Sequence, residues 1–267
     1  MILTFDAGNT SVAVCGVSEG EILFKNAFAT KLFATREGYL PALTDIFEKN
    51  NITAENISGT IISSVVPDAD NRLKEAVSAL TGRSPLVVCS GMKTGVSVKG
   101  YDEKGLGIDR LVDCVAASRY YGNPVIVYDL GSASTMSVVD SDGAFVGGAI
   151  SAGVQLSLDV LGEKCAKLPE LIARDIAKTP EEADREAIGN DTLSCMRNGA
   201  IVGTAAMIEG MAKRAAKDLG RSEDEVPLVL TGGNGALVYP HLFYQNAIYD
   251  PDLLHKGLAI IYDLNRE

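Results

Sequence analysis

The sequence predicts an α/β protein of two domains with like topology, residues 1–112 and 113–267, and a cleft between them. Three observations predict it. One pattern is written twice: Ile2-Leu3-Thr4-Phe5-Asp6-Ala7-Gly8-Asn9-Thr10-Ser11-Val12-Ala13-Val14 opens the chain, and Val125-Ile126-Val127-Tyr128-Asp129-Leu130-Gly131-Ser132-Ala133-Ser134-Thr135-Met136-Ser137-Val138-Val139 repeats its design. Each copy is an apolar strand, an Asp, a Gly, small polar residues and a second apolar strand, which reads as a tight hairpin. The segments after each copy share one order (meander, helix, strand, helix), and no linker rich in Pro, Ser or Gly parts the halves. Ligand clefts favour interfaces between such domains.

The elements follow in order. Ile2–Phe5, Val12–Gly16 and Glu21–Asn26 form the first meander. Arg36–Asn50 is helical, because Tyr39, Leu40, Leu43, Ile46 and Phe47 fall at helical spacing. Thr60–Val66 is a β-branched strand ended by Pro67, Asp68–Leu80 a helix and Leu86–Cys89 a strand. Helix Ile108–Tyr121 leads into the second meander, Val125–Asp129, Ser134–Asp140 and Ala144–Ser151, with Asp142-Gly143 as a turn. Gly153–Leu161 is a helix, 168–190 an irregular insertion and Thr192–Leu219 one long helix. Val226–Leu230 and Asn246–Tyr249 are strands. Leu253–Asn265 is a terminal helix, left open to pack back on the first domain.

Composition narrows the function. Of 267 residues 46% are hydrophobic with no Trp, so aliphatic side chains fill the core. A net charge of −11 argues against a nucleic-acid partner. It leaves nucleotides open, since Mg²⁺ offsets their charge locally. Cys15, Cys89, Cys114, Cys165 and Cys195 are scattered and form no C-x-x-C pair, which suits free thiols in a reducing cytoplasm. His241 and His255 lie far from them in sequence, so a zinc site is not expected. No basic leader and no membrane-length apolar run is read, so the expected location is cytoplasmic with no membrane partner.

The chemistry lies in three glycine-rich places. In the two hairpins, turn amides and hydroxyls can hold an anion, and Asp6 or Asp129 can hold a hydrated cation. Asp and Gly are also ordinary turn residues, but two copies in equivalent places favour a clamp for nucleotide phosphates. There is no G-x-x-x-x-G-K-[ST] run, and Gly105–Arg110 lacks the third Gly of a dinucleotide fingerprint. The third place, Leu230-Thr231-Gly232-Gly233-Asn234-Gly235-Ala236, follows a strand, where a flat ring can lie on backbone. Asp109 and Arg110 stand at a helix start, where a carboxylate is favoured by the helix dipole. An ordinary helix N-terminus is the competing reading. An Asp beside an Arg can take a hydroxyl proton while the Arg holds a carboxylate.

The element order resembles the duplicated ribonuclease-H-like architecture of the actin and sugar-kinase superfamily. Within it the chain resembles the type III pantothenate kinases. The motifs that carry the likeness span most of the chain: Asp6–Thr10, Ser63-Ser64-Val65-Val66-Pro67, Tyr101 leading to Gly107-Ile108-Asp109-Arg110, Asp129–Ala133, Gly147–Ile150, Leu168–Leu171, Ile188–Thr192 and Thr231–Gly235. The resemblance implies ATP-dependent phosphorylation of pantothenate to 4′-phosphopantothenate, the first step of coenzyme A synthesis. It implies Asp109 as the base, with Gly107, Ile108, Arg110, Tyr101 and Thr192 on pantothenate. Asp6, Gly8, Asn9 and Thr10 would hold Mg-phosphate, with Mg²⁺ at Asp6. Gly131, Ser132 and Ser134 would hold phosphate, and Gly232 and Gly233 the adenosine. Asp129 would hold a monovalent cation, K⁺ or NH₄⁺. The family habit is a homodimer whose partner chain supplies Thr192. Ser137 stands where the family usually has Asp, Ala152 where it has Pro, and Asp102-Glu103-Lys104 where a Pro is common. Two other readings stay open: a kinase of another small hydroxy acid, and a regulatory protein that binds nucleotide or pantothenate without turnover.

Overall fold

A computed structural model describes residues 1–35, 37–102, 105–177 and 187–266. The chain divides into two units: Met1–Ser97 with Asp102–Ala116 and Asp252–Glu267, and Val98–Tyr101 with Ala117–Pro251.

In unit 1, strands β1 (Ile2–Ala7), β2 (Ser11–Ser18) and β3 (Glu21–Ala29) form an antiparallel meander. Strands β4 (Gly59–Ser64) and β5 (Leu86–Val87) run parallel to β1, giving the order β3-β2-β1-β4-β5. The central strand β1 is buried from Ile2 to Phe5, with Thr4 and Asp6 interrupting its apolar residues on one face. Leu3, Phe5 and Ile62 share one core with Leu43 and Phe47 of α1 (Leu40–Lys49) and Leu73 and Val77 of α2 (Pro67–Thr81). Burying each such side chain contributes about 1.5–3 kcal/mol.

The other face of this sheet carries polar groups, one of them paired with the terminal helix. His255 of the terminal helix α9 (Leu253–Asn265) is buried, and its Nδ1 lies 2.8 Å from Thr4 Oγ1. Burial pushes the imidazole pKa down from 6.5 to about 3. Nearby Lys25 lowers it further, against an opposing pull from Asp252. Cys15, across the register from Thr4, is likewise pushed up to about 12 by burial and stays a thiol. The unfolded chain takes up the His255 proton first as pH falls, so this group favours the folded state above pH 6.5 and loses that contribution between 6.5 and about 3. Urea unfolding is expected to show a slope of up to about 1.4 kcal/mol per pH unit from this group in that window. The slope should flatten in His255→Asn.

Unit 2 repeats the plan. Strands β7 (Val125–Leu130), β8 (Ala133–Val139) and β9 (Ala144–Ala152) form a meander, with β10 (Leu228–Thr231) and β11 (Ala247–Tyr249) parallel to β7. Its order is β11-β10-β7-β8-β9-β6, so 9-8-7-10-11 reproduces 3-2-1-4-5, with the short strand β6 (Ser97–Val98) added at the edge. Ile126, Tyr128 and Leu130 pack on α4 (Val154–Lys164), α6 (Thr192–Ala200) and α7 (Val202–Asp218).

Two expected helices differ. The long helix over 192–219 is two, divided at buried Ile201, which joins them with right-handed dihedrals (φ −95, ψ −60). Gly199 and Gly203, weak helix formers, flank the break. The helix expected from Arg36 starts at Leu40, with Pro41 in its first turn, after Gly38 at φ +61. Arg36 itself and residues 178–186 of the insertion lie outside the described residues. Helix α3 (Ile108–Tyr121) has the expected bounds.

Candidate functional site

In unit 1, Asp6 is half-buried near the end of β1, and the turn Gly8-Asn9-Thr10 follows. Gly8 N–H donates to Ser11 O at 3.0 Å, closing the turn. Thr30 braces it from outside the motif. Its N–H donates to Thr10 O at 3.0 Å and its hydroxyl to Gly8 O at 2.6 Å, while Tyr39 OH donates to Thr30 O at 2.7 Å. Asn9 and Thr10 are therefore exposed on a fixed loop. Neither Thr30 nor Tyr39 carries a local signal that would have marked it.

Asp109 sits in the first turn of α3. Its Oδ1 accepts a hydrogen bond from Arg110 N–H at 2.9 Å, and its Oδ2 has no partner among the described residues. A Cβ on residue 107 would lie 2.6 Å from Oδ1, so only glycine there leaves the carboxylate in position. Arg110 is buried, which strengthens any charge pairing it makes.

In unit 2, Asp129 is half-buried near the end of β7, and the turn is Gly131-Ser132. The glycine-rich turn after β10 is hydrogen-bonded to it: Asn234 N–H donates to Leu130 O at 2.9 Å and Asn234 Nδ2 to Gly131 O at 3.2 Å. Gly232 has φ +85, and a Cβ there would lie 2.2 Å from Asp129 Oδ1. The carboxylate thus rests on a bare backbone face that no other residue type supplies. Gly153 N–H, at the start of α4, donates to Ser132 O at 3.1 Å. The Arg174 guanidinium lies 3.9 Å from where a side chain on Gly233 would begin.

Ser134 pairs with Leu130, not Asp129, so the pleat points it with Leu130 to the face opposite the carboxylate, where it is 1% exposed. Thr135, which pairs with Asp129, stands on the carboxylate's face, and so does Ser137 two positions along. Tyr101 belongs to unit 2, edge-on to Phe145 with ring centroids 5.3 Å apart.

Thr192 opens α6 behind a capping box. Asp191 accepts from Ser194 N–H at 2.7 Å, which lowers the Asp191 pKa. Thr192 is exposed and lines a cavity of about 580 Å³ with Leu161, Leu168, Cys195 and Met196. Leu156, Val160 and Leu193, on the same two helices, are exposed. None of the five cysteines, all among the described residues, forms a disulfide. No helix among the described residues is long and apolar enough to cross a membrane.

A family model described as type III pantothenate kinase matches residues 2–214. A type III pantothenate kinase of Agathobacter rectalis is 34% identical over 98% of this chain and 96% of its own. One of Finegoldia magna is 31% identical over 100% and 98%. Among solved structures, a Baf-family transcriptional activator from Campylobacter jejuni aligns at TM-score 0.61 with 18% identity, covering 98% of both chains. A ROK hexokinase from Thermus thermophilus aligns at TM-score 0.52 with 10% identity, covering 97% of both. These two likenesses concern the fold, which is that of the actin and sugar-kinase superfamily.

Proposed function

The chain belongs to the type III pantothenate kinase family, and from that premise we propose how its residues share the phosphorylation of pantothenate by ATP in coenzyme A biosynthesis. The observation that carries the assignment of roles is Asp109, with one oxygen tied to Arg110 N–H and the other without a partner among the described residues. A base needs such a lone pair within reach of the acceptor hydroxyl. Oδ2 takes the proton as the hydroxyl oxygen attacks the γ-phosphorus, and the bond to the β-phosphate oxygen breaks. Arg110 supplies the cation for the substrate carboxylate, with Gly107, Ile108, Tyr101 and Thr192 completing the pantothenate contacts.

Gly8, Asn9 and Thr10 bind phosphate from the first turn. Gly131 and Ser132 do so from the second, joined by Thr135 in place of Ser134. Gly232 and Gly233 take the adenosine. Phosphoryl transfer depends mainly on such positioning. Mg²⁺ would be held at Asp6, since Mg²⁺ takes one or two carboxylates, keeps waters and binds substrate phosphates, and Asp6 offers one half-buried carboxylate. Bound there, it neutralises charge developing on the β- and γ-phosphates. Asp129 is the corresponding site for K⁺ or NH₄⁺.

The test is ADP release coupled to added pantothenate, with K⁺ or NH₄⁺ exchanged for Na⁺. Turnover with pantothenate and not with other hydroxy acids supports the reading. Binding without product would favour a regulatory role. We also assign a cytoplasmic homodimer, joined through the apolar face of α4 and α6 beside Thr192. The wild-type protein should sediment at twice 28.1 kDa and Leu193→Glu at 28.1 kDa. Turnover should fall with the dimer, because Thr192 then loses the subunit it serves.

A further inference from the structure

Ser63 lies near the end of β4, and its register partner on the parallel strand β1 is Asp6. Their side chains therefore leave the same face of the sheet, from strands about 5 Å apart. Ser63 is 0% exposed, and its Oγ has no hydrogen-bond partner among the described residues. Buried hydroxyls are normally paired, and one left over beside a functional carboxylate calls for an explanation. Its neighbour Ser64 has a local one, accepting from Val66 N–H at 3.1 Å. Ser63 has no such turn to hold. The same juxtaposition recurs in unit 2, where Asp129 pairs across the parallel register with Thr231, which is also buried. A hydroxyl beside each carboxylate is thus part of the repeated plan. Thr60 supplies a contrast. Its Oγ1 is equally buried and unpartnered, but it pairs with Leu3 and points to the opposite, apolar face.

We propose that Ser63 is a positioning residue for Asp6: its hydroxyl donates to the Asp6 carboxylate when Asp6 engages the hydrated Mg²⁺ of the nucleotide. Carboxylates that hold a metal are themselves held by hydrogen bonds, and losing such a support typically lowers metal affinity 10- to 100-fold. A donor kept free in the unliganded protein lets Asp6 turn toward the cation and be fixed there without breaking another bond. This inference rests on the assignment of Mg²⁺ to Asp6.

The experiment is calorimetric titration of the full chain with ADP, with and without Mg²⁺, together with melting curves of the free proteins. In Ser63→Ala the Mg²⁺-dependent gain in ADP affinity should shrink by about tenfold. Its metal-free ADP affinity should stay at the wild-type value and its melting temperature should not fall, since the hydroxyl it loses is unpaired. Thr60→Val should keep the full Mg²⁺ gain. A wild-type gain in Ser63→Ala, or an equal loss in Thr60→Val, overturns the role of Ser63. Asp6→Asn separates the two levels. If it loses the gain while Ser63→Ala does not, only Ser63 is misassigned. If Asp6→Asn also keeps it, the metal does not sit at Asp6 and both readings fall.

Discussion

Replacing Asp109 by Asn is expected to lower kcat by about 10²–10⁴-fold, the range that positioned general bases contribute. The effect should fall on kcat. Asn keeps an oxygen to accept from Arg110 N–H, so the 2.9 Å bond and the seat on Gly107 survive and pantothenate KM should move little. What is lost is the second oxygen as a proton acceptor, because an amide is far too weakly basic. Steady-state kinetics against pantothenate, with melting curves to confirm an intact fold, decide this. Full turnover in Asp109→Asn would remove the base from the scheme.

Gly232→Ala is expected to destabilise unit 2 by about 3 kcal/mol or more, combining left-handed backbone strain with an overpacked contact. Its Cβ would meet Asp129 Oδ1 at 2.2 Å and Leu130 N at 2.6 Å, and the strand backbone at Leu130 cannot give way cheaply. Gly100→Ala is the matched comparison. It has φ +70 and nothing within 4 Å, so it carries the strain alone, about 1 kcal/mol or a little more. Denaturant midpoints of the two variants isolate the collision. If they match, Asp129 does not depend on the bare face of Gly232.

The sequence made the local features readable and hid the remote ones. Both hairpins, the placement of Asp109 at the start of a helix and the bounds of α3 and α9 followed from periodicity and from Gly and Asp punctuation. Turn length sets the face on which Ser134 emerges. Three residues part the strands of the first hairpin and two those of the second, so positions counted from the glycine emerge on opposite faces. A strand's alternation makes one missing residue decisive, and a motif alignment does not register it. Thr30 on Gly8 and His255 on Thr4 join residues 22 and 251 positions apart. Each is an ordinary polar residue in its own neighbourhood, so only the fold reveals its partner.

The seating of α9 on the first sheet has a consequence for how the protein is made. A ribosome completes the meander β1–β3 long before it releases Leu253–Asn265, so that sheet must wait for a segment made much later. Val98–Pro251 contains all of unit 2, which can collapse in the meantime. Until the tail docks, Thr4 and Cys15 stand uncovered beside the apolar strands, and the nascent chain is then most open to aggregation.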